Sequence, residues 1–199
     1  MPNTTFFNLS EEKQQWLLEI LLDKFYDRHI SQVKVSEIVE AMGMSRGAFY
    51  KYFVDLEDAY SYTVETYSNQ LHGDIIISIM QHRNHFFLGI ENYLARCAQL
   101  APGHPHWQAI KLLTRANDLN TFKRMEIDKE SSMIKQWLEL LELNHFAMET
   151  IDEAISFLYF VMALAMTSLK DYVANQWTAE ELVKDFRYKV KWLEHGTKK

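Results

Sequence analysis

Helix breakers are scarce in this chain, and their scarcity constrains the fold more than any other feature. The 199 residues hold only six glycines and three prolines. Two of the prolines share one tetrapeptide, Pro102-Gly103-His104-Pro105, which reads as a clear interruption. Between such breaks, apolar residues recur at steps of three and four, the mark of amphipathic helices rather than half-buried strands. The triplet Ile75-Ile76-Ile77 has strand propensity. Helical neighbours on both sides make a buried helix the expectation there. No repeat or low-complexity tract interrupts the pattern, so the fold class is all-α, with about nine helices.

The spacing predicts a first helix over 10–29, capped at Ser10 and burying Trp16, Leu17, Ile20, Leu21, Phe25 and Tyr26. Two short helices follow and meet at Gly43. A fourth opens at Asp55 and runs past Tyr67 towards Ile79, with Gly73 as a kink or an end. Further helices are expected over 84–100, 106–117, 120–143 and 150–176, and from just after Thr178 to near Gly196. Thr150 with Glu153, and Thr178 with Glu181, have the spacing of capping boxes.

Composition excludes several classes. Apolar residues make up 48% of the chain, ample for a packed core. No uncharged apolar run reaches the ~18 residues of a membrane span. The nearest, from Ala154 to Leu169, is bounded by Glu153, Lys170 and Asp171. The opening Met-Pro-Asn-Thr-Thr lacks a basic n-region, so no secretory signal is expected. The one cysteine, Cys97, has no partner for an internal disulfide. These features suit a cytoplasmic protein with no membrane contact. Cys97 lacks the flanking signature of a nucleophile, and no glycine-rich phosphate loop is present, so neither enzyme chemistry nor a cofactor is expected. His82-x-x-His85 and His104-x-His106 stand without an acid or cysteine cluster, and no metal site is expected.

The segment from Ser36 to Phe53 is the most telling. Ser36 precedes an apolar pattern of Ile38, Val39 and Met42 and is expected to cap it. Gly43 falls where that helix should stop, and glycine accepts the positive φ that a sharp turn requires. Ser45 is placed to cap the next helix, and Phe49 and Phe53, four apart, anchor it to the core. Ser36, Ser45, Arg46, Gly47, Tyr50, Lys51 and Tyr52 are then left for the outer surface. An arginine near a helix N-terminus suits a guanine edge or a phosphate, hydroxyls and an ammonium suit phosphates, and a glycine permits close approach. Two helices at a tight turn with such a face fit a helix-turn-helix in a DNA major groove. An ordinary amphipathic hairpin with surface tyrosines is the alternative. The net charge of −6 argues against indiscriminate nucleic-acid binding. Arg28, Lys34, Arg46 and Lys51 lie around the motif, so any DNA contact belongs to a face and not to the sum of charges.

The run Gly43-Met44-Ser45-Arg46-Gly47-Ala48-Phe49-Tyr50-Lys51-Tyr52-Phe53, with Ser36-x-Ile38 before it and Asp55-x-Glu57 after it, resembles the helix-turn-helix signature of the TetR family of regulators. The chain departs from the family pattern at Ala48, where threonine is common, and at Leu56, where a phosphate-binding lysine is common. Weaker DNA binding, more dependent on Arg46 and Lys51, is the consequence to expect. The resemblance implies a three-helix DNA-binding domain at 1–60 and an effector-binding and dimerisation domain at 61–199. It implies a homodimeric repressor on double-stranded DNA, released from a pseudo-palindromic operator by a small apolar or amphipathic effector.

An effector cavity is implied between helices four and eight. Its candidate lining is Phe86, Tyr93, Cys97, Trp107, Trp137, Tyr159 and Met162, residue types that adapt to apolar ligands but that at helical spacing also fit plain core. The eighth helix is apolar nearly all round between Ile155 and Leu169, so it is buried on more than one side. The implied dimer interface takes in Met166, Leu169, Val173, Leu182, Phe186 and Val190. The rival reading is an interaction protein of this fold that binds another protein instead of DNA, motivated by the acidic N-terminal region and by Leu56.

Overall fold

The computed structural model describes residues 1–116, 124 and 127–196. Among them all regular structure is helical. The helices are α1 (Thr4–Phe7), α2 (Glu11–Phe25), α3 (Val35–Ala41), α4 (Arg46–Tyr52), α5 (Leu56–Gln81), α6 (Phe86–Cys97), α7 (Pro105–Arg115), α8 (Ser132–Leu143), α9 (Ile151–Asn175) and α10 (Ala179–His195). A short 3-10 turn, Ile30–Gln32, joins α2 to α3. The helix expected over 120–143 is seen from Ser132. Of its first half, residues 120–123, 125 and 126 lie outside the described residues, as does Asn117 at the end of the preceding helix.

The chain forms two compact units, Met1–Leu71 with Ala101–Thr121, and His72–Leu100 with Phe122–Lys199. The domain boundary implied at residue 60 falls inside α5. In the first unit α2 packs on α3 and on α7, and α3 packs on α4. The buried face of α2 is Leu17, Leu18, Leu21, Leu22 and Phe25. Trp16, expected inside, is 43% exposed, and Ile20 and Tyr26 are half-buried. Apolar residues occupy three sides of this helix, so periodicity alone does not choose among them. Packing on both α3 and α7 does.

α2 also stops four residues short of His29. The His29 side chain accepts from Ser31 N–H, and Gln32 Oε1 accepts from His29 N–H, a local cap that competes with further helix. Ser10 holds the N-cap position of α2 but makes no side-chain cap bond. At the start of α5, Asp55 Oδ1 accepts from Asp58 N–H at 2.8 Å and Asp58 Oδ2 accepts from Val54 N–H at 3.0 Å. The helix then runs unbroken through Gly73 and the isoleucine triplet to Gln81.

In the second unit α6 packs on α9 and α10, and α8 on α9. Ser78 Oγ donates to the Gly89 carbonyl at 2.8 Å, tying α5 to α6, and Trp137 Nε1 donates to the Ala154 carbonyl at 2.9 Å, tying α8 to α9. Thr178 and Glu181 complete a capping box at α10. At α9 only half of the expected box forms. Thr150 accepts from Glu153 N–H, but the Glu153 carboxylate takes the N–H of Glu149 instead. α9 spans 25 residues, and by length and composition alone it is long and apolar enough to cross a membrane, a test that the core helix of a folded domain also passes. The uncharged run inside it remains Ala154–Leu169, and the face with Ala154, Leu158, Val161, Ala165 and Leu169 is buried within the chain.

Candidate DNA-binding surface

α3 begins at Val35, with Lys34 in the N-cap position. Ser36 lies exposed inside the first turn and does not cap the helix, contrary to the sequence expectation. Val35 is half-buried, and the helix starts two residues earlier than a Ser36 cap would have it. The far end is a paired-bond stop. Gly43 N–H donates to Glu40 O at 3.1 Å, and Met44 N–H donates to Val39 O at 2.9 Å, with Gly43 at φ +58°. A Cβ in that conformation would crowd its own carbonyl, which is why glycine stands there.

Ser45 Oγ accepts from Ala48 N–H at 3.2 Å and so starts α4. From this start, Phe49 and Phe53 are fully buried. Ser45, Arg46, Gly47, Tyr50 and Lys51 are exposed on the other side, with Tyr50 at 46%. Tyr52 is half-buried, its ring edge-on to Phe6 at 6.2 Å. A Cβ on Gly47 would meet only Ser45 Oγ at 3.8 Å, so nothing within the protein demands glycine at that position.

Sequence reasoning missed the brace behind α4. Asn3 N–H donates to Tyr52 O at 2.8 Å, and Asn3 Nδ2 reaches Lys51 O at 3.4 Å. These are last-turn carbonyls that α4 leaves without helical partners. Phe6 of α1 is fully buried, its ring 5.3 Å from both Phe53 and Tyr62. The adjacent Phe6 and Phe7 were the available signal. Arg28, expected on the basic face, is committed to Glu37 at 2.7 Å. Lys34, Arg46 and Lys51 are exposed and outside any ion pair among the described residues.

The effector candidates separate. Phe86, Tyr93, Cys97, Trp137 and Met162 are buried in the second unit, and Tyr159 lies half-buried under the Arg124 guanidinium at 4.8 Å. Trp107, on α7, belongs to the first unit. Burial pushes the Cys97 thiol up to about 12 and raises the Tyr93 phenol well beyond its ordinary range. Two surface hollows are found elsewhere. One on α10 is lined by Val183, Arg187 and Tyr188 among others, and one at the α8–α9 turn by Leu141, Phe146 and Met148 among others. None of the seven candidates lines either.

The interface candidates separate too. Leu169, Leu182 and Phe186 are fully buried within the chain and have no side-chain surface to offer a second copy. Met166, Val173 and Val190 are half-buried. α9 and α10 spend the fully buried set on each other and on α6. The large apolar side chains they expose are Ile151, Phe160, Tyr188, Trp192 and Leu193. Among the described residues no group of three or more His, Cys, Asp or Glu is placed to hold a metal ion.

Residues 85–197, more than half of the chain, match the family described as "Tetracyclin repressor-like, C-terminal domain". A solved TetR family transcriptional regulator from Chloroflexus aurantiacus J-10-FL aligns over 98% of this chain and 91% of its own, at 21% identity and a TM-score of 0.48. No curated protein matches the sequence.

Proposed function

The chain belongs to the TetR family of DNA-binding transcriptional regulators, and from that premise we propose that it is a repressor, bound as a homodimer to a pseudo-palindromic operator and released by a small apolar or amphipathic effector. The observation that carries the reading is the face of α4, where Arg46, Gly47, Tyr50 and Lys51 point to solvent while Phe49 and Phe53 hold the helix from behind. Arg46, one residue past the N-cap, reaches a guanine edge or a phosphate. Ser36, Ser45, Tyr50, Lys51 and Tyr52 donate to phosphates and fix register without reading sequence. Gly47 lets the duplex approach the backbone.

A second copy of the chain, in the cytoplasm with the DNA, is the cover proposed for the apolar side chains that α9 and α10 expose, Phe160, Trp192 and Leu193 among them. Two-fold symmetry would then place two α4 helices about one DNA turn, roughly 34 Å, apart. The effector must bind the released state more tightly than the bound one, or it shifts nothing. Tyr93 and Cys97, hydrogen-bonded to each other, supply a hydroxyl and a thiol among the buried apolar side chains of the second unit, polar groups of the kind that orient a ligand.

Selection of duplexes from a random pool at low salt tests the reading. Enrichment of an inverted repeat is the expected result. Failure to enrich any motif would favour the rival in which this fold binds another protein.

A further inference from the structure

Asp27 lies just past the C-terminus of α2, where the helix dipole disfavours a carboxylate. Two cations of α7 offset that. Lys111 Nζ donates to Asp27 Oδ1, and Arg115 Nη1 donates to the Asp27 backbone carbonyl at 2.6 Å and approaches Oδ1 at 3.3 Å. Lys111 Nζ also stands 5.7 Å from the centre of the Tyr26 ring. The hydrogen bond from Lys111 holds the Asp27 carboxyl below its ordinary range. The next residue carries the contact onward, because Arg28 Nη1 lies 2.7 Å from the carboxylate of Glu37 in the first turn of α3. α7 falls within the segment that matches the family's C-terminal domain, yet it packs against α2 in the first unit.

We infer that Asp27 is a positioning residue for DNA binding: clamped by Lys111 and Arg115, it fixes the end of α2 and, through Arg28 and Glu37, the α3 helix from which the recognition helix turns. The inference rests on the DNA-binding reading above. A head held in one arrangement loses less conformational freedom on meeting DNA than a loose one, so the clamp adds affinity without touching the duplex. A displacement of α7 would undo it.

The sign of one substitution decides the matter. Removing an acid near a phosphate backbone should tighten binding, whereas removing a positioning residue should weaken it. With the full chain and the inverted-repeat duplex from the selection above, Asp27→Ala should weaken binding by roughly three- to tenfold. Asp27→Glu, which keeps the charge, should recover most of that loss. Lys111→Met should weaken binding equally with the salt slope unchanged, and the double variant Asp27→Ala/Lys111→Met should be no worse than either single one. In the protein alone, amides of α3 and α4 should exchange faster in Asp27→Ala, while those of α9 keep their rates.

Binding by Asp27→Ala as tight as wild type or tighter overturns the inference, as do unchanged exchange rates in α3 and α4. A salt slope flattened by about one in Lys111→Met would make that lysine a phosphate contact and would also overturn it. Should the selection recover no duplex, the DNA-binding reading fails, and the exchange rates alone still decide whether Asp27 positions α3 and α4.

Discussion

A Cβ on Gly89 would sit 2.6 Å from the Cα of Ile79 and 2.8 Å from the carbonyl oxygen of Ser78, so α6 crosses α5 at a point where only glycine fits. Both obstructing atoms are backbone and cannot rotate away. Gly89→Ala gains up to about 1 kcal/mol of helix propensity but must push two helices apart, which costs about 1–3 kcal/mol or more. The net effect should be a loss of up to about 2 kcal/mol. Gly73, in the same α5, has nothing within 4 Å of its would-be Cβ, so Gly73→Ala should raise stability by up to about 1 kcal/mol. Urea midpoints for the two variants should move in opposite directions.

Apart from the Ser36 cap, whose place Lys34 takes, the helix-turn-helix was legible because its local signals have a single solution. Gly43 can end α3 only with a positive φ, Ser45 can cap only the helix after it, and Phe49 and Phe53 share one face. Where several solutions compete, the pattern is silent. Leu182 and Phe186 at helical spacing look the same whether a neighbouring helix or a second chain covers them, and here the chain's own core covers them. The place of α7 was unreadable for a different reason. Lys111 and Arg115 look like solvated charges until α2 brings Asp27 to them across the sequence.

The brace formed by α1 should prove necessary to both stability and DNA binding. Phe6→Ala empties a fully buried site among Tyr52, Phe53 and Tyr62 and should cost about 3–5 kcal/mol. Asn3→Ala removes only the side-chain bond to Lys51 O and leaves the backbone bond to Tyr52 O, so its effect on stability should stay within about 1 kcal/mol. Thermal unfolding of the two variants checks the ranking. An equal loss from both would mean that the hydrogen bonds, and not the ring, hold α4.

Stability should fall in alkali as buried acids, Cys97, Tyr67 and Tyr93 among them, resist ionisation in the folded chain. The Cys97 thiol is raised from an ordinary 9.0 to about 12 by burial, and the Tyr67 phenol from 10.0 to about 12 by burial and by the nearby charge of Glu19. Above pH ~9 the unfolded thiol ionises while the folded one does not, so the unfolded chain binds fewer protons and stability drops as pH rises. Tyr67 and Tyr93 join above pH ~10, each group adding a slope of up to about 1.4 kcal/mol per pH unit, and the contributions of Cys97 and Tyr67 end as their folded forms ionise near pH 12. Cys97→Ala should abolish the slope between pH ~9 and ~10, whatever it does to stability at neutrality. The same burial should make the thiol of the folded protein slow to react with alkylating reagents at pH 8.

Arg46 and Lys51 should fail in different ways. Arg46→Ala should relax discrimination between the selected duplex and point variants of it by about 1–3 kcal/mol at one base position. Lys51→Ala should weaken every duplex alike and flatten the dependence of log affinity on log salt by about one. Titrations at several salt concentrations separate the two. If both variants lose affinity in equal proportion for all sequences, then Arg46 serves a phosphate and base reading lies elsewhere on α4.

Gly47 offers the sharpest contrast between folding and recognition. Its would-be Cβ meets only Ser45 Oγ, at an ordinary 3.8 Å, and no positive φ requires glycine. Inside α4, glycine is up to about 1 kcal/mol worse than alanine, so folding alone would favour replacement. Gly47→Ala should therefore raise the melting temperature by a few degrees, as a gain of that size does in a small domain. The added methyl projects from the exposed face between Arg46 and Tyr50, where the backbone has to come close to the duplex. Affinity should fall by tenfold or more, the equivalent of about 1.4 kcal/mol. A variant that is both more stable and an equally good binder would mean that the duplex does not approach α4 at this turn.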